Sequence, residues 1–238
     1  MPIYSSESSE SYKLSRSRIE NFCKCKKCFY LEEKMGISRP AQFPFNLNNA
    51  VDELLKNEFD TYRGTEQNHP IILEYGIDAK PIKHPDIEDW RTRNKGIGFL
   101  DNDTNLYFYG LVDDVWISTI NEKLIIVDYK ATSKKGEVSL NAPWQISNKR
   151  QVEIYQWLFR KNGFDVEEIA YFVYCNGRSD KDEFNNILEF KTKIISYKGD
   201  SDWIEPITRE IKKTLDSDNI PLSDPNCEYC RYITKANL

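Results

Sequence analysis

Residues Tyr109–Ala131 read YGLVDDVWISTINEKLIIVDYKA, and this stretch decides the fold. Apolar residues over Leu106–Ser118 and Lys123–Ala131 predict strands joined by a tight polar turn at Thr119–Glu122. Asp113 ends one apolar run; Asp128 and Lys130 end the next. Charges inside strand-like segments are costly unless they are paired or bind something. Residues two apart on a strand share a face. Asp128 and Lys130 therefore share a side, and Asp113 on the neighbouring strand can approach them. Asp114 points to the opposite face and reads as a solvated or structural charge. Two carboxylates and an ammonium on one spot suit Mg²⁺ or Mn²⁺ held beside a phosphate.

Outward from this hairpin, Ser17–Lys34 reads as a helix opened by a capping box at Ser17 and Glu20, with Gly36 as its stop. Asn46–Phe59 reads as a second helix with Leu47, Ala50, Val51, Leu54 and Leu55 as its apolar stripe. Residues 60–105 mix Gly, Pro and charge, which suggests an insertion or a flap over a substrate path. Asn148–Asn162 reads as a helix stopped by Gly163, followed by strands at Ile169–Cys175 and Ile187–Tyr197. Asp202–Asp216 is amphipathic, with Trp203, Ile207, Ile211 and Leu215 on one face, and 221–238 is a loop-rich cysteine segment. This order predicts an α/β fold, a central mixed sheet flanked by helices. The Ser/Glu-rich residues 1–13 read as a disordered tail, and 14–238 as a single domain.

The chain has 238 residues, 39% hydrophobic and 30% charged, as expected of a soluble globular protein. No apolar run approaches the roughly 20 residues that span a bilayer. No signal peptide is visible at the N-terminus, so a cytoplasmic location and no membrane partner are expected. The net charge of −5 counts against avid non-specific binding to nucleic acid but leaves room for a local basic groove. There is no Gly-rich phosphate loop, so no intrinsic ATPase is expected. His69 and His84, flanked by Pro, read as surface loop residues rather than ligands.

Gly110 to Asp113, a hairpin-length gap and then Asp128-Tyr129-Lys130 resemble the PD-(D/E)XK nuclease superfamily. The RecB-like and Cas4-like branch is the nearer match. Gln151 and Tyr155 match its downstream Gln-x-x-x-Tyr. Ser17, Ile19, Phe22 and Cys25 match its opening motif, followed by Phe29-Tyr30-Leu31. Cys227 and Cys230 match its closing Cys-x-x-Cys. These motifs occur in the family's order from residue 17 to 230. The resemblance implies a restriction-endonuclease-like core whose N- and C-terminal segments are joined by a cysteine-ligated metal site.

It also implies roles. Asp113 and Asp128 would ligate Mg²⁺ or Mn²⁺, the backbone carbonyl of Tyr129 would add a ligand, and Lys130 would steady the attacking water or the phosphate. Gln151 would reach toward the site to orient substrate or water, with Tyr155 supporting it one helical turn on. Lys149 and Arg150 could contact phosphate. One departure stands in the second helix: where the Cas4-like pattern has Gly and, four residues on, a metal-binding His, this chain has Asn48 and Asp52. Asp52 remains a possible ligand, and an oxygen in place of nitrogen would favour Mg²⁺.

There are six cysteines. Cys25-x-x-Cys28 and Cys227-x-x-Cys230 together offer four thiolates at metal-knuckle spacing. Their spacing accepts either Zn²⁺ or an iron–sulfur cluster. The resemblance favours [4Fe–4S], although that family draws one cysteine from the N-terminus and three from the C-terminus, where this chain has two. Cys25 aligns with the family; Cys28 is taken as its partner and Cys23 as the reserve. Cys175, in the apolar strand, reads as a buried free thiol. The resemblance thus implies a metal-dependent DNA nuclease, an exonuclease in DNA end-processing or repair, with DNA as partner and a helicase or nuclease complex as a further one. The competing readings are a catalytically weak or inactive nucleic-acid-binding subunit and a zinc-stapled structural protein.

Overall fold

A computed structural model describes residues 3–40, 46–93 and 95–236. In chain order its elements begin β1 (Tyr12–Ser15), α1 (Arg16–Lys24), α2 (Lys26–Glu33), α3 (Asn46–Asp60), α4 (Pro70–Glu74), β2 (Ala79–Pro81), α5 (Ile87–Arg91) and β3 (Ile97–Asp101). They continue β4 (Leu106–Gly110), β5 (Asp114–Ser118), β6 (Leu124–Thr132), a 3₁₀ turn (Pro143–Gln145), α6 (Ile146–Lys161), β7 (Ile169–Gly177), β8 (Phe190–Lys198), α7 (Ile204–Asp216) and α8 (Glu228–Ala236). Among the described residues, no helix is long and apolar enough to cross a membrane.

The chain divides into two compact units. One unit is drawn from Met1–Phe43, Gly98–Tyr109 and Ser201–Leu238; the other spans Pro44–Ile97 and Gly110–Asp200. The region 60–105, the least readable in sequence, holds α4, β2, α5 and β3.

In the second unit a five-stranded mixed sheet has the order β2-β5-β6-β7-β8. β5 and β6 pair antiparallel, β6 and β7 parallel, β7 and β8 antiparallel. α3 lays Val51, Leu55 and Phe59 on the sheet face formed by Trp116, Ile125, Val127, Tyr129 and Val173. Phe59 is fully buried between the rings of Trp116, 5.5 Å away, and His69, 4.0 Å away. His69 is thus not a surface residue. Its Nδ1 accepts from Ile71 N–H to cap α4, and its Nε2 lies 2.9 Å from Glu58. α6 is buried at every position from Gln151 to Phe159, which is why its sequence lacks a clean polar face. Gln156 within it donates from Nε2 to the carbonyls of Glu167 and Glu168, offsetting part of the cost of burying its amide.

The expected single strand Leu106–Ser118 is broken: β4 ends at Gly110, and β5 begins at Asp114 in a different sheet. Gly110 is required there, because a Cβ would lie 2.5 Å from the Tyr155 ring. The other strands and α6 fall close to expectation, with Gly163 at φ +84° ending α6.

The first unit contains the three-stranded sheet β1-β4-β3, with β1 parallel to β4, together with α1, α2, α7 and α8. The expected helix Ser17–Lys34 is split at Cys25, whose backbone is extended at φ −165°. The capping box does not form; Ser15 precedes the helix and Ser17 Oγ meets Ser15 Oγ at 2.8 Å. α7 buries Ile204, Thr208, Ile211 and Leu215, a face rotated from the one expected. Two tyrosines of residues 3–13 make contacts within this unit. Tyr4 is buried, its hydroxyl donates to Asp216 at 2.6 Å and its ring meets Tyr12 edge-on. Residues 1–2 of the expected disordered tail lie outside the described residues.

Candidate active site and cysteine cluster

Register places the acidic residues. On β6 the side chains of Tyr129 and of Asp128 and Lys130 alternate between sheet faces. Tyr129 points into the core beneath α3, so Asp128 and Lys130 share the other face. Asp113 lies just before β5, and its Oδ2 accepts from the Tyr129 N–H at 2.9 Å. A side chain thereby replaces a ladder bond where the hairpin opens, and it brings the Asp113 carboxylate to the strand that carries Asp128.

Asp128 is fully buried and ion-paired with Lys130, yet neither of its carboxylate oxygens accepts a hydrogen bond of ordinary geometry. Burial raises its pKa; Lys130 opposes the rise and Asp113 adds to it. Burial works against the Lys130 ammonium, but Asp128 and Asp113 outweigh it and raise its pKa. A fully buried carboxylate that has one ammonium to offset it and a second carboxylate nearby is a costly arrangement, and a divalent cation relieves it. Hard oxygen donors fit Mg²⁺ or Mn²⁺.

Asp52, one-third exposed on α3, joins this group. Burial raises its pKa, Asp113 adds to the rise, and Lys56 and Lys130 lower it. Asn48, one turn earlier, donates to the Ala131 carbonyl at 3.3 Å and ties α3 to the end of β6. On the other side, Gln151 Oε1 is 3.5 Å from Lys130 Nζ, and Gln151 Nε2 donates to the Tyr155 hydroxyl at 3.2 Å. Tyr155 is buried against Gly110. Lys149 lies over the Tyr197 ring, 5.5 Å from its centre.

Asp114 is structural and wholly buried, not solvated. It accepts from Arg63 at 2.7 Å, Arg91 at 2.8 Å, the Tyr129 hydroxyl at 2.7 Å and the Trp116 indole at 3.1 Å. It fixes β6 from the face opposite Asp128.

Two side chains of the site escaped the sequence reading. Lys56 Nζ lies 2.7 Å from Asp52 and 3.7 Å from Asp113. Its only signal was its spacing of four from Asp52, which is common on exposed helices. Tyr174 stands beside Lys130 in the β6–β7 register, with its hydroxyl bonded to Gln145 at 3.1 Å. Its signal was the alternation in YFVYC.

In the first unit, Cys25, Cys28, Cys227 and Cys230 converge, with all four Sγ atoms within 4.8 Å of one another. Cys25–Cys230 is 3.8 Å, and Cys28 is 3.5 Å from both Cys227 and Cys230. No disulfide joins the described cysteines. Cys28 completes the set, and Cys23 stands outside it. Burial opposes ionisation of Cys25, but N–H donors at Asp224 and Cys28 prevail and lower its pKa to about 7. Cys175 is buried in β7 with its Sγ 3.6 Å from Thr192.

A sequence model of the PD-(D/E)XK nuclease superfamily matches residues 46–234, a span containing Asp52, Asp113, Asp128, Lys130 and Gln151. No curated protein matches the chain.

Proposed function

The chain belongs to the PD-(D/E)XK nuclease superfamily, and on that footing we propose that it is a Mg²⁺- or Mn²⁺-dependent deoxyribonuclease. The observation that supports this reading most is the fully buried Asp128 carboxylate, ion-paired with Lys130 and close to a second carboxylate, Asp113. Asp52, Asp113, Asp128 and the Tyr129 carbonyl are the ligands assigned to the metal. Bound there, the cation supplies Lewis acidity toward the phosphate and lowers the pKa of water.

The remaining chemistry belongs to the side chains. Lys130 holds its proton and presents a positive charge to the scissile phosphate as negative charge builds on its oxygens. Gln151 is held between Lys130 and Tyr155, so its amide has a fixed orientation toward water or substrate. Water oxygen bonds to phosphorus and gives up a proton to solvent, the bond to the leaving sugar oxygen breaks, and that oxygen takes up a proton from solvent.

The order of motifs from residue 17 to 230 supports the finer reading of a RecB-like or Cas4-like exonuclease acting in DNA end-processing, with a helicase or nuclease-complex partner. Incubation of end-labelled single- and double-stranded DNA with Mg²⁺ or Mn²⁺ tests the proposal. Shortening of the label from an end, lost with EDTA, is the expected result. Intact DNA under every metal condition contradicts a nuclease; internal cuts in a circular substrate contradict an exonuclease.

A further inference from the structure

We propose that the four cysteines hold a single zinc ion, and not the [4Fe–4S] cluster that the resemblance implies. The inference rests on the sulfur positions and does not depend on nuclease activity. A tetrahedral zinc with Zn–S bonds of about 2.3 Å sets its sulfurs about 3.8 Å apart, since a tetrahedron's edge is about 1.63 times its centre-to-corner distance. The close pairs here are 3.5, 3.5 and 3.8 Å. The widest separation allowed within the set is 4.8 Å. Even a regular tetrahedron of that edge has its corners only about 2.9 Å from the centre, room for one ion bonded directly to sulfur. A cubane places each thiolate on its own iron, outside eight cluster atoms, and needs a much wider cage.

The backbone agrees with a knuckle site. Each Cys-x-x-Cys pair opens a short helix in the same way: the Cys25 carbonyl accepts from Phe29 N–H and the Cys227 carbonyl from Arg231 N–H, both at 3.0 Å. Cys25 and Cys227 thus stand at the helix starts, and Cys28 and Cys230 lie one turn in. Three of the four cysteines are buried. All four positions around the ion are filled by protein, so the site is structural, with no open position for substrate and no redox role. It ties residues 25–28 to residues 227–230, and Lys34 and Tyr30 separately hold the Ser217 carbonyl.

The test is metal and acid-labile sulfide content of the full chain, purified without oxygen from cells supplied with both iron and zinc. Oxygen-free handling matters because a decayed cluster can be replaced by zinc. The expected result is about one zinc per chain, with no sulfide and no visible absorption. Growth with cobalt should give the intense d–d bands of a tetrahedral thiolate site. Iron and sulfide in equal amounts with a broad visible band would overturn the proposal, as would protein with no bound metal. Cys23→Ser should retain full zinc and Cys28→Ser should lose it; the reverse would overturn the ligand assignment.

Discussion

The Tyr129 hydroxyl donates to Asp114 at 2.7 Å, on the sheet face opposite Asp128 and Lys130. The residue between the two proposed catalytic side chains is thus anchored from behind, by a carboxylate that Arg63 and Arg91 hold in turn. Asp114→Asn would leave two largely buried guanidinium groups with weakened pairing. The expected loss is about 3–5 kcal/mol of stability, read from the denaturant midpoint. Tyr129→Phe removes only one hydrogen bond and should cost about 1–3 kcal/mol. Equal losses would show that the arginines do not depend on Asp114.

Gly110→Ala places a methyl 2.5 Å from a buried Tyr155 ring carbon. The ring must move, and Gln151 loses its partner. We expect a loss of about 1–3 kcal/mol by overpacking, with cleavage slowed as Gln151 swings free. Wild-type stability in this variant would show that the ring yields without cost.

Asp52→His restores the nitrogen donor of the Cas4-like pattern. Imidazole suits softer ions, so metal preference should move from Mg²⁺ toward Mn²⁺. Isothermal titration with each ion reads this directly, without requiring turnover. Unchanged affinities for both would remove Asp52 from the ligand set. Lys56→Met takes a cation away from Asp52 and Asp113, and Mn²⁺ should bind up to about fivefold tighter. Weaker binding would show that Lys56 organises the carboxylates.

The raised pKa of Asp128 gives a pH dependence with a definite sign. In the unfolded chain an Asp ionises near about 3.9. Between that value and its raised folded value, the native protein holds a proton that the unfolded chain has lost, so stability falls as pH rises. Asp128→Asn cannot ionise there. The variant should gain on the metal-free wild type by up to about 1.4 kcal/mol per pH unit in that window. Saturating Mg²⁺ should favour the wild type instead. A pH-independent difference would mean that Asp128 ionises as in an unfolded chain.

What the sequence made legible follows a strict period. Asp128 and Lys130 lie two apart after an apolar LIIV run, so their common face follows from spacing alone. The paired Cys-x-x-Cys motifs likewise predicted the cluster. The break between Gly110 and Asp114 was not legible, because YFYGLVDDVWIS is a nearly continuous apolar run while its halves enter different sheets. The two adjacent aspartates diverged in burial because Arg63 and Arg91 arrive from a region with no periodicity. Cys25 splits an otherwise continuous helical pattern, and the contact of Tyr4 with Tyr12 leaves no mark on the composition of its segment.

The most direct measurement compares wild type with Lys130→Ala on labelled DNA in Mg²⁺ or Mn²⁺, with DNA affinity measured in Ca²⁺ in parallel. The account predicts that Lys130→Ala binds DNA within about twofold of wild type but cleaves it about 10²–10³-fold more slowly. Equal cleavage by the two proteins would contradict it, because the activity would then arise away from Asp113, Asp128 and Lys130.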